Sequence, residues 1–163
     1  MAGDLHDLAR IPREPFLRSA YALLGNTTDA EDAVQETFPV AIAGIDTFRN
    51  ENRLSTWVYG ILLRVAGRQR QRRRQDASLD GADQMSDPGP SPDARAADRE
   101  EAERLRAAVD ALPDPLRLPV LLYYLAECPV GEVAASLGIP EGTVKRRLFD
   151  ARARLSERLH GTP

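Results

Sequence analysis

The sequence predicts an all-α fold, two small helical domains joined by a flexible acidic linker. Three observations carry this. Apolar residues recur at helical spacing in segment after segment, and no stretch alternates as a strand does. Charge is segregated: residues 49–75 carry eight Arg and one acid, Glu51, whereas residues 76–110 carry ten acids and four Arg. Residues 76–98 (DASLDGADQMSDPGPSPDARAAD) hold three prolines, two glycines and few large apolar side chains, the composition of a tether. The expected divisions are therefore 1–75, 76–98 and 99–163. The tether's acidity suits either mimicry of nucleic acid in a basic channel or simple solubility.

Met1 to Pro15 is polar with prolines at 12 and 15, and a frayed start is expected. Phe16, Leu17, Ala20, Leu23 and Leu24 then mark a helix over about 16–24, stopped by Gly25-Asn26. Thr28-x-x-Glu31 reads as a capping box for the next helix, which buries Ala33, Val34 and Phe38. Its acids Asp29, Glu31, Asp32 and Glu36 cluster in the opening turns, where the helix dipole favours them. Pro39 should kink or end that helix, because an interior proline costs about 3 kcal/mol; after a kink, Val40 to Ile45 would continue it.

Phe48 to Arg53 reads as a loop. Leu54, Trp57, Val58, Ile61, Leu62 and Val65 form an apolar stripe, so an amphipathic helix follows, capped by Asn52 or Ser55. It runs into six Arg with no acid between Arg64 and Gln75. That is more than a helix C-terminus needs for its dipole, and it predicts phosphate contact. After the tether, 99–111 should form a charged helix with Leu105, Ala108, Val109 and Leu112 inward. Leu116 to Leu125 should form one buried helix with Pro119 in its first turn.

The C-terminal stretch Gly131–Leu159 carries the clearest functional pattern. Val133, Ala134 and Leu137 mark a short helix, and Gly138 can turn left-handed at least cost. After Ile139-Pro140, a second helix places Val144, Leu148, Ala151 and Leu155 on one stripe. Gly142, Arg146 and Phe149 point away from it, flanked by Thr143, Lys145, Arg147 and Asp150. Six basic residues stand against three acidic ones between Glu141 and Arg158. Two short helices about a Gly turn, the second basic on its free face, read as a helix-turn-helix that enters a DNA major groove.

Bulk properties exclude other classes. One cysteine, Cys128, rules out an internal disulfide and fits a reducing cytoplasm. No apolar run approaches the ~20 residues of a membrane span, and no signal peptide is read at the start. His6, His160 and Cys128 lack metal-ligand spacing, no phosphate-binding glycine loop is present, and no nucleophile–base pair stands out. Neither catalysis, nor a cofactor, nor a metal is expected.

Together these segments resemble a group IV, or extracytoplasmic-function (ECF), sigma factor of bacterial RNA polymerase, within the sigma-70 family. DAEDAVQETF (Asp29–Phe38) is similar to region 2.2. FRNENRLSTWVYGI (Phe48–Ile61) and the Arg-rich run are similar to regions 2.3 and 2.4. ALPDPLRLPVLLYYLAE followed by VAASLGIPEGTVKRRLFDARARL is similar to region 4. The first domain would then be region 2 and the last region 4 with its helix-turn-helix.

The resemblance implies roles. Asp32, Gln35 and Glu36 would dock on the β′ clamp helices of RNA polymerase core, and the β flap would be a further contact. The Phe48–Ser55 loop would capture a flipped base of the −10 element, with Arg49, Asn50, Asn52 and Arg53 as its polar groups. Thr56, Trp57 and Tyr59 begin the melting helix, Trp57 being placed in the core rather than on a base; Arg64 and Arg68 make that helix more basic than in relatives. Thr143, Lys145, Arg146 and Phe149 would read the −35 element, while Arg147, Arg152 and Arg154 hold phosphates. Promoter DNA and an anti-sigma factor would be the other partners.

The sequence departs from the family at three places. Pro-Val-Ala-Ile stands where relatives continue a helix, Arg64 and Arg68 replace Asn and Asp, and Cys128-Pro129-Val130-Gly131 replaces a Ser-capped opening of the helix-turn-helix. Two other readings compete: an autonomous helix-turn-helix regulator, against which the Ala30–Arg74 segment argues, and a sigma mimic that sequesters an anti-sigma factor, which should lack DNA-facing basic residues.

Overall fold

A computed structural model describes residues 4–50, 52–80 and 96–161. Helices account for most of the described residues, and no strand occurs among them. The chain divides into two compact units, Met1–Asn50 with Trp57–Pro92, and Glu51–Thr56 with Asp93–Pro163.

The first unit opens on a short helix rather than a frayed end. Helix α1 (Leu5–Ala9) is capped by Asp4, whose side chain accepts from the Asp7 N–H at 2.9 Å, and it buries Leu8. Helix α2 (Glu14–Leu24) takes Pro15 in its first turn and ends at Gly25, φ 82°, whose N–H donates to the Tyr21 carbonyl. Helix α3 (Thr27–Gly44) starts one residue before Thr28, so the expected capping box gives way to Asn26. The Asn26 Oδ1 accepts from the Asp29 N–H at 2.8 Å.

Pro39 neither ends α3 nor stops its packing. The ring lies on the exposed side, so the hydrogen bond lost at the Gln35 carbonyl faces water, while Thr37, Phe38 and Ala41 beside it are buried. After a 3₁₀ turn at Ile45–Thr47 comes α4 (Leu54–Asp80). It begins at Leu54, which puts Ser55 inside the first turn and not at the cap. It also carries the first five residues of the expected linker; the rest of that linker, but for its last three residues, lies outside the described residues. The core sits between α2, α3 and α4. Phe16 stacks on Tyr59 at 4.2 Å and meets Phe38 edge-on at 5.6 Å, over Val58, Leu62 and Val65.

In the second unit α5 (Ala96–Asp110) is exposed as far as Leu105, which was expected inward but is 47% accessible. Burial begins only with the following turn, at Ala108, and returns at Leu112, with Val109 half-buried between them. The expected single helix over 116–125 is two pieces: α6 (Asp114–Val120) and a π-helical turn at Leu121–Leu125. Pro119 stands near the end of α6, not in its first turn, and cannot donate to the carbonyl four residues back. The ladder widens two residues later. Helices α7 (Val130–Leu137) and α8 (Glu141–His160) complete the unit, with Pro129 and Pro140 at their N-caps.

Candidate nucleic-acid interface

Helix α8 is fixed from one side. Val144 and Ala151 are fully buried and Leu148 nearly so, packed on α6 and α7. Gly138 makes the turn into it at φ 66°, and a side chain there would meet open space, so the backbone conformation alone selects glycine. The opposite face is open. Lys145, Arg146, Arg152 and Arg154 are exposed, and Phe149 is 70% accessible, an extreme for a large apolar ring. Thr143 and Arg147 are half-buried at its margin. Nothing lies within 4 Å of where a Gly142 side chain would stand, so the first turn presents bare backbone to whatever approaches. The result is a rigid helix whose outer surface is cationic, with one exposed aromatic ring among the charges, suited to base edges and phosphates.

The arginine-rich half of α4 is not one uniform patch. Arg73 makes a bidentate pair with Asp29, Nε to Oδ2 at 2.7 Å and Nη2 to Oδ1 at 2.9 Å. Arg70 donates to the Leu23 carbonyl, and Gln69 to the Asp29 carbonyl. Arg72 approaches Glu36 only loosely, at 3.9 Å. These arginines tie α4 to α2 and α3. Arg64 and Arg68 are exposed and make no ion pair among the described residues, so they are available to an anion.

Two family models match the chain: Sigma-70 region 2 over residues 13–76 and Sigma-70 region 4 over residues 102–155. The ECF RNA polymerase sigma factor EcfG of Rhodopseudomonas palustris is 35% identical over 151 residues, covering 90% of this chain and 80% of EcfG. The chain belongs to the ECF sigma factors. SigW of Bacillus subtilis, another ECF RNA polymerase sigma factor, is 29% identical, with 94% of this chain and 87% of SigW covered. The fold agrees with two solved structures. The sigma factor RpoE of Bartonella quintana, in complex with the anti-sigma factor NepR, superposes with a TM-score of 0.60 at 24% identity over 91% of both chains. CnrH, in complex with the cytosolic domain of CnrY, gives 0.64 at 22% over 99% of this chain and 92% of that one.

As a sigma factor the protein works with RNA polymerase core on promoter DNA, and the residues expected from the sequence to serve it fall in two regions. On the region 2 side Asp32, Gln35 and Glu36 share the exposed face of α3. Arg49 and Asn50 are exposed in the loop after Phe48, with Asn50 in a left-handed backbone at φ 61°. Phe48 is buried against Trp57 at 5.5 Å, and Trp57 is itself half-buried. Tyr59 lies in the core against Phe16, so its ring is not offered to a base.

Thr56 is likewise closed off. In the second unit its hydroxyl donates to Glu132 Oε2 at 2.8 Å and touches Cys128 Sγ at 3.5 Å, while Arg53 Nε pairs with Glu132 Oε1 at 2.8 Å and Asn52 is half-buried. Glu132 holds the Arg53 cation above its ordinary pKa by hydrogen bond and charge. Burial pushes the Cys128 thiol up, against the opposing pull of the Thr56 hydrogen bond. Sequence reasoning missed Glu132 as a partner of Arg53 and Thr56. It also missed Tyr124, which holds Arg152; the adjacent tyrosines Tyr123-Tyr124 were the available signal. Among the described residues no group of acids, His and Cys could hold a metal, and no helix is long and apolar enough to cross a membrane.

Proposed function

We propose that this sigma factor directs RNA polymerase core by reading the −35 element with α8 and the −10 element with the loop after Phe48, and that it promotes melting there. Lys145, Arg146 and Phe149 face the bases, with Thr143 beside them; Arg147, Arg152 and Arg154 hold phosphates. Arg49, Asn50, Asn52 and Arg53 serve the −10 loop, Trp57 supports it through Phe48, and Arg64 and Arg68 follow the backbone. Asp32, Gln35 and Glu36 dock on the β′ clamp helices, and region 4 meets the β flap. The factor acts in the cytoplasm, without catalysis or a cofactor of its own, and is held by an anti-sigma factor, as RpoE of Bartonella quintana is by NepR.

The observation that carries this reading is α8. Its Val144, Leu148 and Ala151 face is sealed, and its Lys145, Arg146 and Phe149 face is bare and cationic. The test is transcription from a randomised promoter library by core polymerase with and without the chain. Transcripts sharing a paired −35/−10 motif only in its presence are expected. Lys145→Ala and Arg146→Ala should each relax the −35 preference by about 1–3 kcal/mol while core binding persists. Promoter choice unchanged by both substitutions would refute the groove assignment.

A further inference from the structure

Tyr124, in the π-helical turn of the second unit, is 52% accessible and has no role in the core. Its ring stands edge-on to Tyr123 at 4.9 Å, which fixes its plane. Its hydroxyl oxygen accepts a hydrogen bond from Arg152 Nε at 2.5 Å, and the Arg152 guanidinium carbon lies 5.6 Å from the ring centre. An exposed arginine on a long stem samples many rotamers and gains little from a single partner. Here one of its five N–H groups is held by a tyrosine that is itself held by its neighbour.

The choice of nitrogen matters. Because Nε–H is the bond to Tyr124, the four N–H groups on the two terminal nitrogens remain for another acceptor, in the fork that matches a phosphate. The tyrosine oxygen accepts from Arg152, so its own hydrogen is left to donate as well. Arg152 also sits seven residues, nearly two turns, beyond Lys145 on the same flank of α8, about 10 Å further along the axis. A helix whose first turns lie in the groove brings that position against the sugar–phosphate backbone.

We infer that Tyr124 and Arg152 form one phosphate clamp at the edge of the −35 contact, with Tyr124 as the positioning residue that sets the guanidinium fork and adds its hydroxyl to the same anion. This rests on the reading of α8 as the −35 helix. The clamp acts on the backbone, so it strengthens binding to every promoter alike and leaves sequence preference unchanged.

The experiment uses the full-length chain bound to core polymerase and a promoter duplex selected from the library, with affinity measured over a series of KCl concentrations. Tyr124→Phe keeps the ring and removes only the hydroxyl; an unchanged melting curve confirms that the fold is intact. Tyr124→Phe and Arg152→Ala should each weaken binding by roughly tenfold, as loss of a charge-assisted hydrogen bond does. Each should also lower the salt slope, by about 0.9 for Arg152→Ala. The double variant should lose less than the two single losses added together.

A normal affinity and slope in Tyr124→Phe, with Arg152→Ala impaired, would overturn the clamp and leave the −35 reading intact. Independent, additive losses would overturn it too, as would an Arg152→Ala effect absent where Lys145→Ala is impaired. If neither Arg152→Ala nor Lys145→Ala changed promoter binding, the −35 reading itself would fall, and the clamp with it.

Discussion

The clamp on Asp29 makes a quantitative prediction about how the arginine-rich helix is used. Asp29→Ala removes three bonds at the carboxylate, two from Arg73 and one from Asn26 Nδ2 at 2.8 Å. It spares the helix cap, because Asn26 bonds the Asp29 backbone N–H, which alanine retains. Breaking one side of a fully buried pair costs about 3–5 kcal/mol, and losing an exposed pair costs under about 1 kcal/mol. The Asp29 side chain is 9% accessible but that of Arg73 is 43%, so the released guanidinium recovers much of its water. The expected loss is therefore about 2 kcal/mol, with the first-turn dipole interaction included. For a domain of this size that lowers the melting temperature by on the order of 10 °C.

Urea unfolding followed by far-UV circular dichroism measures this loss. Arg73→Met and the double variant complete the cycle. The pair should couple by more than about 1 kcal/mol, since each residue loses its value once the other is gone. Arg73→Met should also leave the salt slope of promoter binding unchanged, because that guanidinium is engaged within the fold. An Asp29→Ala loss below about 0.5 kcal/mol, or additive single effects, would refute the account of Arg73 as structural.

Other substitutions probe separate features. Gly138→Ala should destabilise the second unit by about 1 kcal/mol, the cost of a Cβ at φ 66°, since no neighbour obstructs it; denaturant midpoints give the value. Pro39→Ala should stabilise the first unit by about 1–3 kcal/mol by restoring the bond to the Gln35 carbonyl, and an unchanged midpoint would mean that the helix had already absorbed the defect. Cys128, buried and with its pKa raised, should react far more slowly with iodoacetamide at pH 8 than a free thiol does. A raised folded-state pKa contributes stability below the ordinary thiol value of about 8.5, lost as pH rises through the folded value. Cys128→Ser should flatten that alkaline decline in a pH series of melting curves.

The helix-turn-helix was legible because its signals are local. A stripe at spacings of four, three and four, a glycine before Ile139-Pro140, and basic residues off the stripe need no tertiary knowledge, and α7 and α8 lie where those residues put them. The run Arg64–Arg74 shows the opposite limit. Six arginines without an acid predicted phosphate contact, yet the partners that engage Arg70 and Arg73 lie more than forty residues away, at Leu23 and Asp29. Composition records the charge and is blind to a partner supplied by folding. Thr56 and Tyr59 failed similarly: their places in a melting-helix pattern say nothing of the buried contacts with Glu132 and Phe16. Of the two outcomes expected at Pro39, an end is excluded because α3 runs on to Gly44, and propensity alone could not choose between them without the buried Thr37, Phe38 and Ala41 that hold the helix through it.

Asn50 has a consequence for how the −10 loop discriminates. A left-handed backbone at an asparagine, directly after a phenylalanine anchored on Trp57 and an exposed arginine, is a conformation set at folding and not at the promoter. Fixing one residue's backbone costs about 1–2 kcal/mol of conformational entropy. On the proposed reading that loss has already been taken when DNA arrives. Asn50 then meets a flipped base with its backbone already set, and no further ordering at that residue is needed to receive it. Stringency at −10 is then a property of preorganisation, and a substitution that loosens the backbone at Asn50 should blur promoter choice without removing a single base contact.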